Sequence, residues 1–200
     1  DGDGITEPGG DDGAPVATAI TDANGGWIVT GLAPGDYFAQ IMSPPATAPL
    51  SSTAGTEADP DNDLDGLDDG EQTGSGNPVT TGIITLSGGS EPDNTVETGA
   101  DNDQDDASDF NGNMTLDMGF FAPVTVGDYV WADLNNNGLQ DGGEPGVAGI
   151  TVRLYDAASG TEVTQDAEGN PLTPEITDVN GEYLFENLPP GDYYVIFDLG

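Results

Sequence analysis

The chain has 200 residues, 38 of them acidic and one basic, Arg153, so its formal charge is −37. With a single cation it has nothing to neutralise phosphates or an anionic bilayer, which excludes nucleic acid and membrane surfaces as partners. With no His, Cys or Lys the soft metal ligands are also missing, and hydrolysis would fall to paired carboxylates.

Such a charge repels itself and opposes compaction. The chain must therefore be disordered or be neutralised by cations. Disordered segments are poor in aromatic and β-branched residues. Here Tyr183-Leu184-Phe185 and Tyr193-Tyr194-Val195 form short apolar runs able to build a core. Folded modules with divalent cations in acidic loops satisfy both observations.

In chain order, the pattern predicts strands over 16–21, 27–30, 37–41, 83–86 and 114–121, then 125–131, 151–155, 182–186 and 193–198. Gly, Pro, Asn and Asp separate these runs as turns. With 31 Gly and 15 Pro, long helices are disfavoured. The fold class is all-β, in the form of sandwich modules. Trp27, Tyr37, Phe38, Phe120, Phe121, Trp131, Tyr183, Phe185 and Tyr193 are expected in the core. No apolar run is long enough to span a bilayer.

An internal repeat sets the organisation. The segment 21–38, with Asp22-Ala23-Asn24-Gly25 and Ala33-Pro34-Gly35-Asp36-Tyr37, recurs without a gap at 177–194 as Asp178-Val179-Asn180-Gly181 and Pro189-Pro190-Gly191-Asp192-Tyr193. Each residue lies 156 positions from its counterpart (178 − 22). Residues 1–122 therefore read as the later part of one module and 123–200 as the earlier part of the next, within a longer protein. Pro123 fixes its own φ and holds Ala122 extended, which predicts a short, stiff junction.

The sequence from Asp133 to Glu144 fits a twelve-residue calcium loop. Asp133, Asn135 and Asn137 fall at positions 1, 3 and 5, and Gly138 makes the turn at position 6. Leu139 offers its carbonyl at 7, Asp141 falls at 9 and Glu144 supplies two oxygens at 12. Oxygen-only ligands select Ca2+ over zinc or copper. A looser match places Asp61, Asp63 and Asp65 before Gly66, with Asp69 at position 9 but Gln72 at 12. Asp101, Asp103, Asp105, Asp106 and Asp109 form a third cluster without a loop Gly, which could face the second and complete one site. The competing reading of each cluster is a solvated acidic turn.

The combination of Val126-Gly127-Asp128-Tyr129-Val130-Trp131, the loop from Asp133 to Glu144, Pro145-Gly146-Val147-Ala148-Gly149-Ile150-Thr151-Val152 and the two recurring turns resembles the B-type repeat modules of bacterial cell-wall-anchored adhesins. The resemblance is to the B-like domain of serine–aspartate-repeat proteins and, beyond it, the B-type domain of collagen adhesins. It implies an Ig-like or transthyretin-like sandwich, bound calcium, an extracellular location and a spacer role in a stalk or fibre. Its partners would be neighbouring copies of the same module. The alternative is an adhesin module that recognises a cell-surface or matrix ligand. Modules of the collagen-adhesin type often carry a Lys–Asn or Lys–Asp isopeptide bond; a chain without lysine cannot form one within a module, so metal is left as the staple.

Overall fold

The computed structural model describes residues 14–52, 68–91, 112–113 and 115–198. Among the described residues there is no helix. The strands are β1 (Gly35–Tyr37), β2 (Gln40–Ile41), β3 (Leu50–Ser51), β4 (Glu71–Gln72), β5 (Val79–Thr80), β6 (Ile84–Leu86), β7 (Phe120–Phe121), β8 (Val124–Tyr129), β9 (Thr151–Asp156), β10 (Glu175–Ile176), β11 (Glu182–Leu188) and β12 (Tyr193–Asp198). They pair as β1–β6, β2–β5–β4, β3–β7, β11–β8 and β10–β9–β12. Contacts divide the chain into one unit of residues 1–43, 51–72 and 78–119 and another of 44–50, 73–77 and 120–200.

The second unit is a β-sandwich. One sheet pairs β8 with β11 antiparallel, Val126 opposite Phe185, with an irregularity before Leu188. The other lays β9 between β10 and β12, with Leu154 opposite Val195. Alternation along each strand sends one set of side chains inward. Val152 and Leu154 of β9 and Phe185 and Leu188 of β11 are fully buried together, flanked by Val126, Tyr193 and Val195. Burying each of those four contributes about 1.5–3 kcal/mol. The alternate residues face out, where Tyr155 and Tyr194 stack at 5.2 Å. Arg153, also outward, pairs with Glu162 at 2.9 Å and lies 3.8 Å from Asp198.

In the first unit, β1 runs antiparallel to β6 with Tyr37 opposite Ile84. β2 and β4 flank β5. Val79, Ile84 and the side chain of Thr81 are buried. Asp68 is buried as well, held by the Ser51 hydroxyl at 3.1 Å and the Gly70 N–H at 2.9 Å.

The strands expected at 37–41, 83–86, 125–131, 151–155, 182–186 and 193–198 are present with shifted ends, the first split into β1 and β2. Those expected at 16–21 and 27–30 are not strands, and of 114–121 only Phe120–Phe121 is one. The reason for 27–30 is pairing. Its counterpart is β11, which is held by β8, whereas among the described residues no strand pairs with 27–30. Val16, Ile20 and Ile28 are accordingly exposed. The aromatic core also needs correcting. Of the nine aromatics expected inside, Phe185 alone is fully buried, in a cluster completed by aliphatic Val152, Leu154 and Leu188; the other eight are half-buried, and of these Tyr183 and Tyr193 pack against that cluster.

Candidate metal centre

The loop of residues 133–144 leaves the sheet after β8 and returns at the isolated bridge between Trp131 and Gly146. Trp131 stacks on Tyr129 at 6.1 Å. Ala132 N–H donates to Pro145 O at 3.0 Å and Val147 N–H to Val130 O at 2.8 Å. The two ends of the loop are thus clamped to each other. Gly146 also lies so close to the Asn180 carbonyl that a Cβ there would overlap it. That approach ties the loop exit to the turn before β11.

Within the loop, N–H groups orient every candidate side chain. Asp133 Oδ1 accepts from Asn136 at 2.5 Å and Asn137 at 3.2 Å, and its Oδ2 accepts from Gly138 at 2.9 Å. Asn135 Oδ1 accepts from Asn137 N–H at 3.0 Å, and Asn137 Oδ1 from Leu139 N–H at 2.7 Å. Glu144 reaches back across the loop, accepting from Leu134 N–H at 2.9 Å and Asp141 N–H at 3.1 Å. The sharp turn uses left-handed backbone at Asn136 (φ 59°) and Gly138 (φ 74°), residue types that tolerate it.

Asp141 Oδ2 accepts from both Asn135 Nδ2 at 2.8 Å and Asn137 Nδ2 at 2.7 Å. These bonds hold the Asp141 carboxyl below the usual carboxylate range, Asn135 contributing most. The Gly138 N–H does the same for Asp133, aided by its neighbours and opposed by desolvation. Both groups are therefore charged at neutral pH, as a carboxyl that ligates calcium must be.

The donors are all oxygen, which suits a hard ion. An sp² oxygen accepts twice. Asp133 Oδ2, Asn135 Oδ1, Asn137 Oδ1 and both Glu144 oxygens each take one hydrogen bond in the loop, half their capacity. Yet among the described residues no three acidic side chains converge as a ready cage. The residue types and their anchoring fit calcium; the carboxylates have not closed on a common centre.

Of the second cluster, Asp61, Asp63 and Asp65 lie outside the described residues, as do Asp101, Asp103 and Asp105 of the third. Asp69 is described, and it engages Asp117: its N–H donates to Asp117 O at 2.8 Å and its Oδ2 accepts Asp117 N–H at 2.9 Å.

Polar anchors that the sequence reading passed over lie in the turns. Asp166 accepts from Glu168 and Asn170 N–H at 2.9 Å each, and from Asn187 Nδ2 at 3.0 Å. Its only local signal was an Asp-x-Glu-Gly-Asn turn; Asn187 is far off in sequence. A shallow groove of about 480 Å³ runs beside β8 and β11, with Asp128, Glu175, Asp178 and Glu182 on its walls.

The repeat is reproduced at the level of single bonds. Asp22 Oδ1 accepts from Asn24 and Gly26 N–H at 2.7 and 3.0 Å; Asp178 Oδ1 accepts from Asn180 and Glu182 N–H at 2.8 and 2.9 Å. Gly25 and Gly181 have φ of 92° and 88°. Tyr37 donates to Ala33 O at 2.8 Å, and Tyr193 to Pro189 O at 2.6 Å. Every one of these pairs is 156 positions apart.

Residues 124–200 match the SdrD B-like domain. That segment belongs to the SdrD B-like family. Across 93% of the chain, 188 residues are 31% identical to serine-aspartate repeat-containing protein F of Staphylococcus epidermidis (strain ATCC 12228 / FDA PCI 1200) and 34% identical to serine-aspartate repeat-containing protein C of Staphylococcus aureus (strain N315). The chain spans 9% of the first relative and 15% of the second. A segment of this SdrD B-like family is a B-type repeat module of an extracellular surface protein, and the family is non-enzymatic. No described helix is long and apolar enough to cross a membrane.

Proposed function

We propose that this chain is a calcium-binding spacer segment of a surface stalk, made of B-type modules that meet at Pro123. The observation that carries the spacer reading is the recurrence at 156 positions, which repeats turn chemistry, backbone conformation and the tyrosine-to-carbonyl bond together. A stalk is built from copies; a recognition domain needs only one. Residues 1–122 and 123–200 are then parts of successive modules, and neighbouring copies are the segment's partners.

Calcium is assigned to the loop from Asp133 to Glu144, with Asp133, Asn135, Asn137, the Leu139 carbonyl, Asp141 and Glu144 as ligands. What supports it is the oxygen-only donor set, already oriented by the loop's own N–H groups. The second and third clusters, Asp61, Asp63, Asp65 and Asp69 with Asp101, Asp103 and Asp105, are proposed as a further acidic site. Bound calcium would supply positive charge to a chain of −37 and cross-brace the loop.

Melting with calcium and with EGTA tests the reading. A ligand at 100–1,000 times its Kd stabilises the folded state by about 2.7–4.1 kcal/mol per site. Against a typical domain stability of roughly 5–15 kcal/mol, that shift is large. EGTA is expected to lower Tm by several degrees, and an unchanged Tm would remove calcium from the account.

A further inference from the structure

The repeat lets one strand be seen twice, with a different neighbour each time. β12 and the β1–β2 stretch are counterparts: Tyr193, Val195 and Phe197 correspond to Tyr37, Ala39 and Ile41. In the second unit this strand ends its sheet. β9 lies on one side, and among the described residues no strand lies on the other.

Among the described residues the two copies pair through opposite edges. In an antiparallel ladder a residue sends its N–H and C=O to the same side, and its neighbours send theirs to the other. Asp192 O accepts from Ala157 N–H at 2.8 Å, so Asp192, Tyr194 and Ile196 face β9. Tyr193, Val195 and Phe197 therefore direct their backbone groups to the outer edge. In the first unit Thr81 N–H donates to Ala39 O at 3.0 Å, and Ala39 N–H donates to Thr81 Oγ1 at 3.0 Å. Ala39, and by alternation Tyr37 and Ile41, face β6 and β5. Ala39 is the counterpart of Val195. The edge that is paired in one copy is the edge that is open in the other.

We propose that the outer edge of β12 is a docking edge for one occupant: an antiparallel strand of the 79–86 type, with its Thr81 position opposite Val195. The neighbouring contacts agree. Thr85 donates to Asp36 Oδ1 at 2.9 Å, and Asp192 stands ready for the same bond. An open strand edge carrying partly exposed Tyr194, Ile196 and Phe197 is a template for pairing that a stable module must cover. Docking there makes β12 a central strand between β9 and the incoming segment.

Hydrogen exchange on an extended chain tests this. Gly200 corresponds to Pro44 (200 − 156), so residues 45–91 of the same sequence are appended after Gly200, in register. Amide exchange is then compared in the original and extended chains, by NMR and over a range of concentrations. The expected result is that Tyr193, Val195 and Phe197 slow by about 10-fold or more, while Tyr194 and Ile196, already bonded to β9, change little. Replacing Thr81→Pro in the appended copy alone removes both the N–H that would donate to Val195 O and the Oγ1 that would accept the Val195 N–H, and is expected to restore fast exchange at Val195. Equal rates in the original and extended chains would overturn the proposal. So would slowing that survives the proline, or slowing that appears in the original chain as its concentration rises, which would give the edge to a second copy.

Discussion

Gly146→Ala is expected to break the clamp that closes the candidate metal loop. A methyl at this position would overlap the Asn180 carbonyl and approach the Gly181 N, and both are backbone, so no side chain can swing aside. The strands must part. Two backbone bonds close the clamp, Ala132 N–H to Pro145 O and Val147 N–H to Val130 O. Each contributes about 0.5–1.5 kcal/mol net, and forced overpacking costs about 1–3 kcal/mol. The variant should therefore lose roughly 2–6 kcal/mol, a large fraction of an ordinary domain stability of about 5–15 kcal/mol. Gly142→Ala is the matched control. It lies in the same loop, a Cβ there meets nothing within 4 Å, and its φ is not in the left-handed region. It should change stability by no more than about 0.5 kcal/mol. Urea denaturation of both variants, in EGTA so that metal plays no part, gives the comparison. Similar midpoints for the two would mean that the close approach of Gly146 and Asn180 does not hold the loop.

Glu144→Gln should weaken calcium binding at least about tenfold, since position 12 of such a loop supplies two oxygens to the ion, whereas Asp128→Asn, in β8 and outside the loop, should leave it unchanged; titration calorimetry on both variants checks this, and equal affinities would refute the ligand assignment. Acid should release the loop in a defined window. Asp133 and Asp141 have folded-state values below the ordinary 3.8, so the folded state binds fewer protons there and their stabilisation is complete above that value. It is lost as pH falls through the lowered values. Tm should be flat from neutrality down to about pH 5 and fall below the ordinary value; Asp133→Asn with Asp141→Asn should make that acid slope shallower, the part left coming from Asp156, Asp166 and Asp178, which are lowered as well. An unaltered slope in the double variant would place the acid sensitivity elsewhere.

The parts of this molecule that were legible in sequence are those determined locally. The Asp-x-Asn-Gly turns are encoded by four residues and form in both copies, even at Asp22, where the next residues, 27–30, are not a strand. The loop from Asp133 to Glu144 is similar: Gly138 permits the turn, and side chains two to five positions away bond to its backbone. Strands are different, because a strand exists only through a partner. Trp27-Ile28-Val29-Thr30 has the same pattern as Tyr183-Leu184-Phe185-Glu186 and is not a strand, while Glu71–Gln72 and Glu175–Ile176, too short to show any period, are strands because β5 and β9 pair with them. The same reasoning accounts for the carboxylates. Sequence spacing brought Asp133, Asp141 and Glu144 into one loop, but their convergence depends on a charge that the residues themselves cannot supply. In a chain with one cation in 200 residues, the local code can orient oxygens by hydrogen bonding, and only a bound cation can make it favourable for them to meet.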